Sequence, residues 1–322
     1  MLYAVTSYFN PCRYRKRLEN YRLFRRYLGV PLITVELGFD GQFDLSPEDA
    51  EFYLPLGDGD VMFQKERLLN LAIGQLPDDC TAVAWLDCDV IFSDASWAEQ
   101  TLRQLRTKQV VQPFATLYPL EASSPVDFRL ARRSLPAHPS VPVNLAADPE
   151  FCRTGQVEAR YWQEPEGTRT RFRTGIAWAA RRDFLERVGL YDVCILGSGD
   201  IVFSSALYNC PQVAVDAYRM GPEFRQHFLD WFQRLEREFP LKIGEVPGEV
   251  LQLWHGSYSR RKYRQRHAEF AAFDFQPQRD LRISASGCWR WRNPDSPMAA
   301  YVRDYFHSRQ EDGPLSSAPS SA

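Results

Sequence analysis

Asp87 and Asp89 flank Cys88 directly after the apolar run Ala82-Val83-Ala84-Trp85-Leu86. Residues two apart on an extended segment point to the same side, so these carboxylates can face one divalent cation and the phosphate oxygens it holds. Asp58-Gly59-Asp60 repeats the pattern after Pro55-Leu56-Gly57. With no strand expected before it, this second pair reads as a loop leading to a helix N-cap.

Elements able to position Asp87 and Asp89 are legible around them. Residues 2–6 and 31–37 read as strands and residues 12–28 as the helix between them, a βαβ opening. Residues 62–76 form the next helix, with Leu68, Leu69, Leu71, Ala72 and Ile73 on its apolar side, and residues 81–86 form the strand that ends at Asp87. This alternation predicts a mostly parallel sheet with helices on both faces, whose ligands gather beyond the carboxyl ends of the strands. Residues 113–171 are rich in proline and charge and read as irregular, a length that usually serves function. Regular structure resumes over residues 176–180, a helix at 183–188 and residues 198–207, followed by an amphipathic helix at 223–238 and a strand at 250–254 that leads into His255.

Composition narrows the class. The chain has 322 residues, 44% hydrophobic, and a net charge of -2, enough apolar content for a large folded domain and too little positive charge for a dedicated nucleic-acid binder. Arg13, Arg15, Lys16, Arg17, Arg22, Arg25 and Arg26 crowd the first helix, which reads as a solvated face, with a peripheral membrane contact as the alternative. Seven cysteines without a CxxC pair suggest neither a zinc site nor a disulfide framework. No transmembrane segment and no signal peptide are read, so a cytoplasmic location is expected.

Four segments occur in an order that resembles a GT-A fold glycosyltransferase, in the manner of bacterial soluble relatives of the family 2 and β-1,4-galactosyltransferase-like enzymes. They are Thr6-Ser7-Tyr8-Phe9-Asn10-Pro11, Gln64-Lys65-Glu66 with Asn70, Trp85-Leu86-Asp87-Cys88-Asp89, and a distal block. That block holds Thr174-Gly175-Ile176-Ala177-Trp178, Val188-Gly189-Leu190-Tyr191-Asp192, Gly197-Ser198-Gly199-Asp200 and Leu253-Trp254-His255-Gly256. The resemblance implies an α/β, Rossmann-like nucleotide-diphospho-sugar transferase fold over residues 1–270. Residues 113–171 would be an acceptor-facing insertion, 271–312 a C-terminal extension packed on the domain, and 313–322 a disordered tail.

It also implies roles. Thr6, Tyr8 and Asn10 would lie beside the nucleoside, Lys65 and Asn70 on a donor-contacting helix, and Gly175 where backbone approaches the donor sugar. Asp89 would ligate the metal directly, Asp87 would be shared between metal and ribose, and His255 would complete the shell. An imidazole among carboxylates suits Mn²⁺ better than Mg²⁺. Asp200 would be the catalytic base. Gly199 stands where the family's Gly-Gly-Glu-Asp-type segment has Glu, and Ile201 where some relatives carry another acid, which leaves acceptor contacts and the inverting outcome open. The implied activity moves a sugar from a nucleoside diphosphate donor, foremost a UDP-sugar, to a hydroxyl of a glycan acceptor.

Bland alternatives stand beside these roles. Asn10-Pro11 also reads as a strand-to-helix turn, Asp200 as a helix N-cap, Gly175 as a strand bulge, and Trp178 and Trp254 as core aromatics. The run Arg260, Arg261, Lys262, Arg264 and Arg266 reads mostly as a charged helix surface rather than a diphosphate contact. Among other classes, a haloacid-dehalogenase-like phosphatase would want Thr or Val at Ile91 and an acid at Ser204. A nucleotidyltransferase would want a Gly-rich loop between Ser7 and Arg13. A catalytically inactive nucleotide-sugar or glycan binder fits the departures at Gly199 and Ile201.

Overall fold

The computed structural model describes residues 1–157, 162 and 173–313. The chain opens with β1 (Leu2–Phe9), α1 (Arg15–Leu28), β2 (Leu32–Leu37), β3 (Phe52–Leu56), α2 (Lys65–Ile73), β4 (Ala82–Leu86), β5 (Val90–Phe92) and α3 (Trp97–Leu105). It continues through β6 (Val110–Gln112), β7 (Thr116–Pro119), α4 (Phe128–Ser134), β8 (His138–Pro139), α5 (Val141–Ala146) and α6 (Pro149–Thr154). Then follow β9 (Ala177–Arg181), α7 (Arg182–Val188), α8 (Gly199–Leu207), α9 (Pro211–Tyr218), α10 (Pro222–Glu236), β10 (Ile243–Glu245) and β11 (Glu249–Gln252). The last elements are α11 (Tyr263–Phe270), α12 (Pro277–Asp280), β12 (Leu281–Ile283), β13 (Trp289–Trp291) and α13 (Pro297–Ser308).

Seven strands form the central sheet in the order β10-β6-β9-β4-β1-β2-β3. All neighbours are parallel except β9, which runs antiparallel between β4 and β6 and places Trp178 opposite Trp85. The expected mixed α/β architecture with a mostly parallel sheet is what forms. Alternation along the strands divides the core. Val5, Phe9, Val83 and Trp85 pack on one face with α2, α7 and α8. Ala4, Tyr8, Ala82 and Ala84 pack on the other with α1 and α3.

Local chemistry sets the boundaries. Asn10 Oδ1 accepts a hydrogen bond from Tyr14 N at 2.9 Å, which makes a turn of residues read as the start of the first helix. Helix α1 then buries Tyr21, Phe24 and Leu28 and ends at Gly29, whose φ of 73° is the left-handed conformation that glycine adopts without strain.

Two expectations are corrected. A strand, β3, does precede Asp58-Gly59-Asp60, and the pair caps no helix. Asp58 accepts hydrogen bonds from Ser284 and Ser286, and Asp60 Oδ2 accepts one from Trp291 N at 2.7 Å, so this loop holds the C-terminal extension. Within residues 113–157 the chain is more regular than read. Strands β7 and β8 join β5 and β11 in a second, four-stranded sheet, with α4 between β7 and β8, and α5 and α6 after them. Strand β7 is four residues long, ends in Pro119, and finds its partner β11 only at residues 249–252, so local pattern could not reveal it. Residues 158–161 and 163–171 of the expected insertion, and 314–322 of the expected tail, lie outside the described residues.

Candidate active site

A cavity of about 600 Å³ opens where the carboxyl ends of β1 and β4 meet the first turns of α2 and α8. Ser7 and Phe9 of β1 line it, as do Asp87, Cys88 and Asp89 after β4, Gly175 before β9, and His255 after β11. Of the expected site residues, Lys65, Asp87, Asp89, Gly175, Asp200 and His255 are brought together here.

Thr6, Tyr8, Asn10 and Asn70 do not line the cavity. Thr6 and Tyr8 are offset by one from the lining residues Ser7 and Phe9, and a one-residue offset on a strand means the opposite face. Thr6 Oγ1 donates to Leu86 O at 2.7 Å and Tyr8 Oη to Asp44 Oδ2 at 2.8 Å. Asn10 Nδ2 donates to Asp44 Oδ2 and Tyr14 O. Asn70 brackets residue 190, donating to Leu190 O and accepting from Leu190 N, and so ties α2 to the segment after α7.

Lys65 is the hinge of the acidic wall. Its Nζ lies 2.6 Å from Asp87 Oδ1 and 2.8 Å from Asp200 Oδ1. Burial would lower the lysine, but the charges of Asp200 and Asp87 hold it well above its usual value. Burial pushes Asp87 up to about 6 against the pull of Lys65, with Asp200 and Asp89 adding repulsion. Asp200 reaches Lys65 across a gap left by Gly175, where a Cβ would lie 2.6 Å from Asp200 Oδ2 and 2.9 Å from its Cγ. The glycine is there for close approach to this carboxylate.

Asp89 and His255 form a second unit. Asp89 Oδ2 lies 2.7 Å from His255 Nδ1, which also faces Leu253 O at 3.0 Å, and Leu253 N donates to Asp89 O. Burial alone would raise Asp89, but His255 holds it below the usual carboxylate range. Asp89 Oδ1 is buried without a hydrogen-bond partner. A buried, unsatisfied carboxylate oxygen beside an imidazole suits a divalent cation. The three expected ligands are nevertheless not gathered, because Asp87 turns to Lys65; among the described residues no three His, Cys, Asp or Glu side chains form a ready metal cluster.

Arginines build the facing wall, and this corrects two readings. Arg17, taken as part of a solvated helix face, lines the cavity, with its Nε 2.5 Å from Glu311 Oε2 and its Nη1 donating to Phe9 O. Arg266, taken as a surface charge, is 2% exposed and donates to Ser198 Oγ at 2.6 Å. Arg309 Nε lies 2.5 Å from Glu311 Oε1. Burial would raise the Tyr263 phenol, but Arg261, then Arg266 and Arg309, bring it below its usual value. Such a wall favours an anion. Glu311 and Arg309 come from a segment to which the sequence assigned no chemistry, and only the folded chain brings them to β1. Trp178 is core, with Nε1 donating to Thr174 O.

Glu66, beside Lys65, is 7% exposed, and burial pushes its carboxyl up to about 8. Its place in the cavity was not read from the sequence. The only signal was the absence of a side chain at Gly199, which a Cβ would bring into collision with the Glu66 carboxyl.

No protein-family model and no curated protein matches the sequence. Similarity is found among solved structures. TarS of S. aureus is 11% identical with a TM-score of 0.36, over 64% of this chain and 33% of that one, and has also been solved in complex with UDP-GlcNAc. Glucosyl-3-phosphoglycerate synthase of Mycobacterium tuberculosis, solved with Mn²⁺, UDP-glucose and phosphoglyceric acid, is 13% identical with a TM-score of 0.38, over 93% and 90% of the two chains. The catalytic domain of Drosophila β1,4-galactosyltransferase 7 is 11% identical with a TM-score of 0.29, over 77% and 67%. This chain spans about a third of the length of TarS. Among the described residues, no helix is long and apolar enough to cross a membrane.

Proposed function

We propose that the protein is a metal-dependent glycosyltransferase that moves a sugar from a nucleoside diphosphate sugar, foremost a UDP-sugar, to a hydroxyl group of a glycan acceptor. The observation that carries this reading is one cavity lined both by carboxylates, Asp87 and Asp89 at the end of β4 and Asp200 at the start of α8, and by the guanidinium groups of Arg17, Arg261 and Arg309. Asp89 and His255 would hold the cation, with Asp87 joining once released from Lys65, and Mn²⁺ fits this mixed donor set. When bound, the cation supplies charge stabilisation to the departing diphosphate.

The protein's own groups account for the remaining steps. Arg17, Arg261 and Arg309 offer cationic charge to the phosphates from the other side. Asp200 accepts the proton of the acceptor hydroxyl as that oxygen bonds to the anomeric carbon and the bond to diphosphate breaks, with inversion. Lys65 holds the Asp200 carboxylate at 2.8 Å, in place at the cavity before the acceptor arrives.

The test is UDP release from UDP-glucose, UDP-galactose and UDP-GlcNAc with Mn²⁺. Asp200→Asn should lower turnover roughly 10²–10⁴-fold while keeping UDP binding. Asp89→Ala should lose metal-dependent binding itself. Equal loss of binding in both variants would contradict this division of roles.

A further inference from the structure

Glu66 takes no part in the steps above, yet its position is unusual for a carboxyl group. It is the second residue of α2 and lines the cavity with Lys65 and Asp200. Gly199 opens α8 and leaves the room that Glu66 occupies. A Cβ at residue 199 would collide with Oε1 and Cδ of Glu66 and lie 2.9 Å from its Oε2. The carboxyl group therefore sits where a side chain of residue 199 would begin, next to Asp200, although it comes from another helix.

Nothing in the fold employs this group. Among the described residues its carboxyl group makes no ion pair and no hydrogen bond to another side chain, and the backbone N–H of Glu66 itself favours its charged form. Leu68, Leu69 and Ala72 carry the packing of α2. A carboxyl group held 7% exposed at the wall of a cavity weakens a fold, and a native protein that retains one needs a reason for it.

We propose that Glu66 is an acceptor-positioning residue, a second pocket carboxyl that acts beside Asp200. This inference rests on the reading of Asp200 as the base. A carboxyl oxygen of Glu66 accepts a hydrogen bond from the hydroxyl adjacent to the attacking one, while Asp200 takes the attacking hydroxyl's proton. When water replaces the acceptor, one of its hydrogens goes to Asp200 and the other faces Glu66. No bond to Glu66 forms or breaks. The acceptor class this implies is a polyol with neighbouring hydroxyl groups, such as a sugar. Burial keeps Glu66 protonated to about pH 8, so the pocket gains a hydrogen-bonding group without a second negative charge beside Asp200.

Three variants test the assignment: Glu66→Gln, Glu66→Leu, and the double variant Glu66→Ala with Gly199→Glu. UDP release from the three UDP-sugars with Mn²⁺ is read alongside the thermal midpoint at pH 7 and 9. The Gln variant, which keeps the acceptor oxygen, should retain most of the turnover, and the Leu variant should lose at least about tenfold. The double variant, which presents a carboxyl from α8 instead of α2, should recover part of that loss. The midpoint of the Leu variant should hold or rise by a few degrees, more at pH 9, because a functional group retained at a cost to stability has been removed. A midpoint that falls in both single variants, with turnover that the double variant does not recover, would make Glu66 a structural support and overturn the proposal. If the wild-type protein releases UDP from none of the donors, the transfer reading fails by itself. The midpoints then decide for Glu66: a rise retains it as a ligand-facing carboxyl, and a fall removes it.

Discussion

Lys65 Nζ and Asp200 Oδ1 are ion-paired at 2.8 Å, which joins the first turn of α2 to the first turn of α8. The same ammonium group holds Asp87 at 2.6 Å. One cation therefore connects the carboxylate assigned to the acceptor with a carboxylate assigned to the metal.

Removing that cation should be costly. In Lys65→Met, Asp87 and Asp200 would face each other uncompensated, and unfolding in urea should show a stability loss of about 1–3 kcal/mol, between the results for exposed and buried pairs, because the three side chains are 18–29% exposed. Millimolar Mn²⁺ should restore part of the loss by replacing the missing charge. An unchanged urea midpoint would mean that Lys65 does not hold the wall together.

Gly175→Ala tests the geometry around Asp200. The added methyl group would sit 2.6 Å from Asp200 Oδ2, so the carboxylate must swing away. Turnover should fall at least about tenfold, while UDP binding with Mn²⁺ stays close to wild type because the atoms nearest the added methyl group are those of Asp200. Loss of UDP binding would place Gly175 against the nucleotide instead.

Much of this arrangement was legible in the sequence, for definable reasons. The run from Ala82 to Leu86 is a buried strand, and its polar end had to fall at the sheet edge, so Asp87 and Asp89 could be placed from local pattern alone. What was missed depends on contacts between distant segments. Glu66 meets Gly199, Arg17 meets Glu311, and β7 meets β11 only after the chain folds. Thr6 and Tyr8 illustrate a second limit. The end of β1 was correctly placed at the cavity, but which of two alternating faces lines it depends on the neighbouring elements, and Ser7 and Phe9 are the residues that do.

Stability should decline on the acid side through His267. This imidazole is 3% exposed, and burial, with Arg266 beside it, pushes it down to about 3. An unfolded histidine titrates near about 6.5. Between these values the unfolded chain binds a proton that the folded chain does not, so stability falls as pH drops, by about 1.4 kcal/mol per pH unit from this group. In His267→Gln the decline from pH 6.5 to 4 should be shallower, measured as urea midpoints across that range. Parallel declines in both proteins would show that His267 accepts a proton in the folded state.

The most direct test of the central claim is calorimetric titration of the protein with UDP, with and without Mn²⁺, repeated for Asp89→Ala. The account predicts UDP binding that requires Mn²⁺ and disappears in the variant. UDP binding indifferent to both the metal and Asp89, or no UDP binding under either condition, would contradict it.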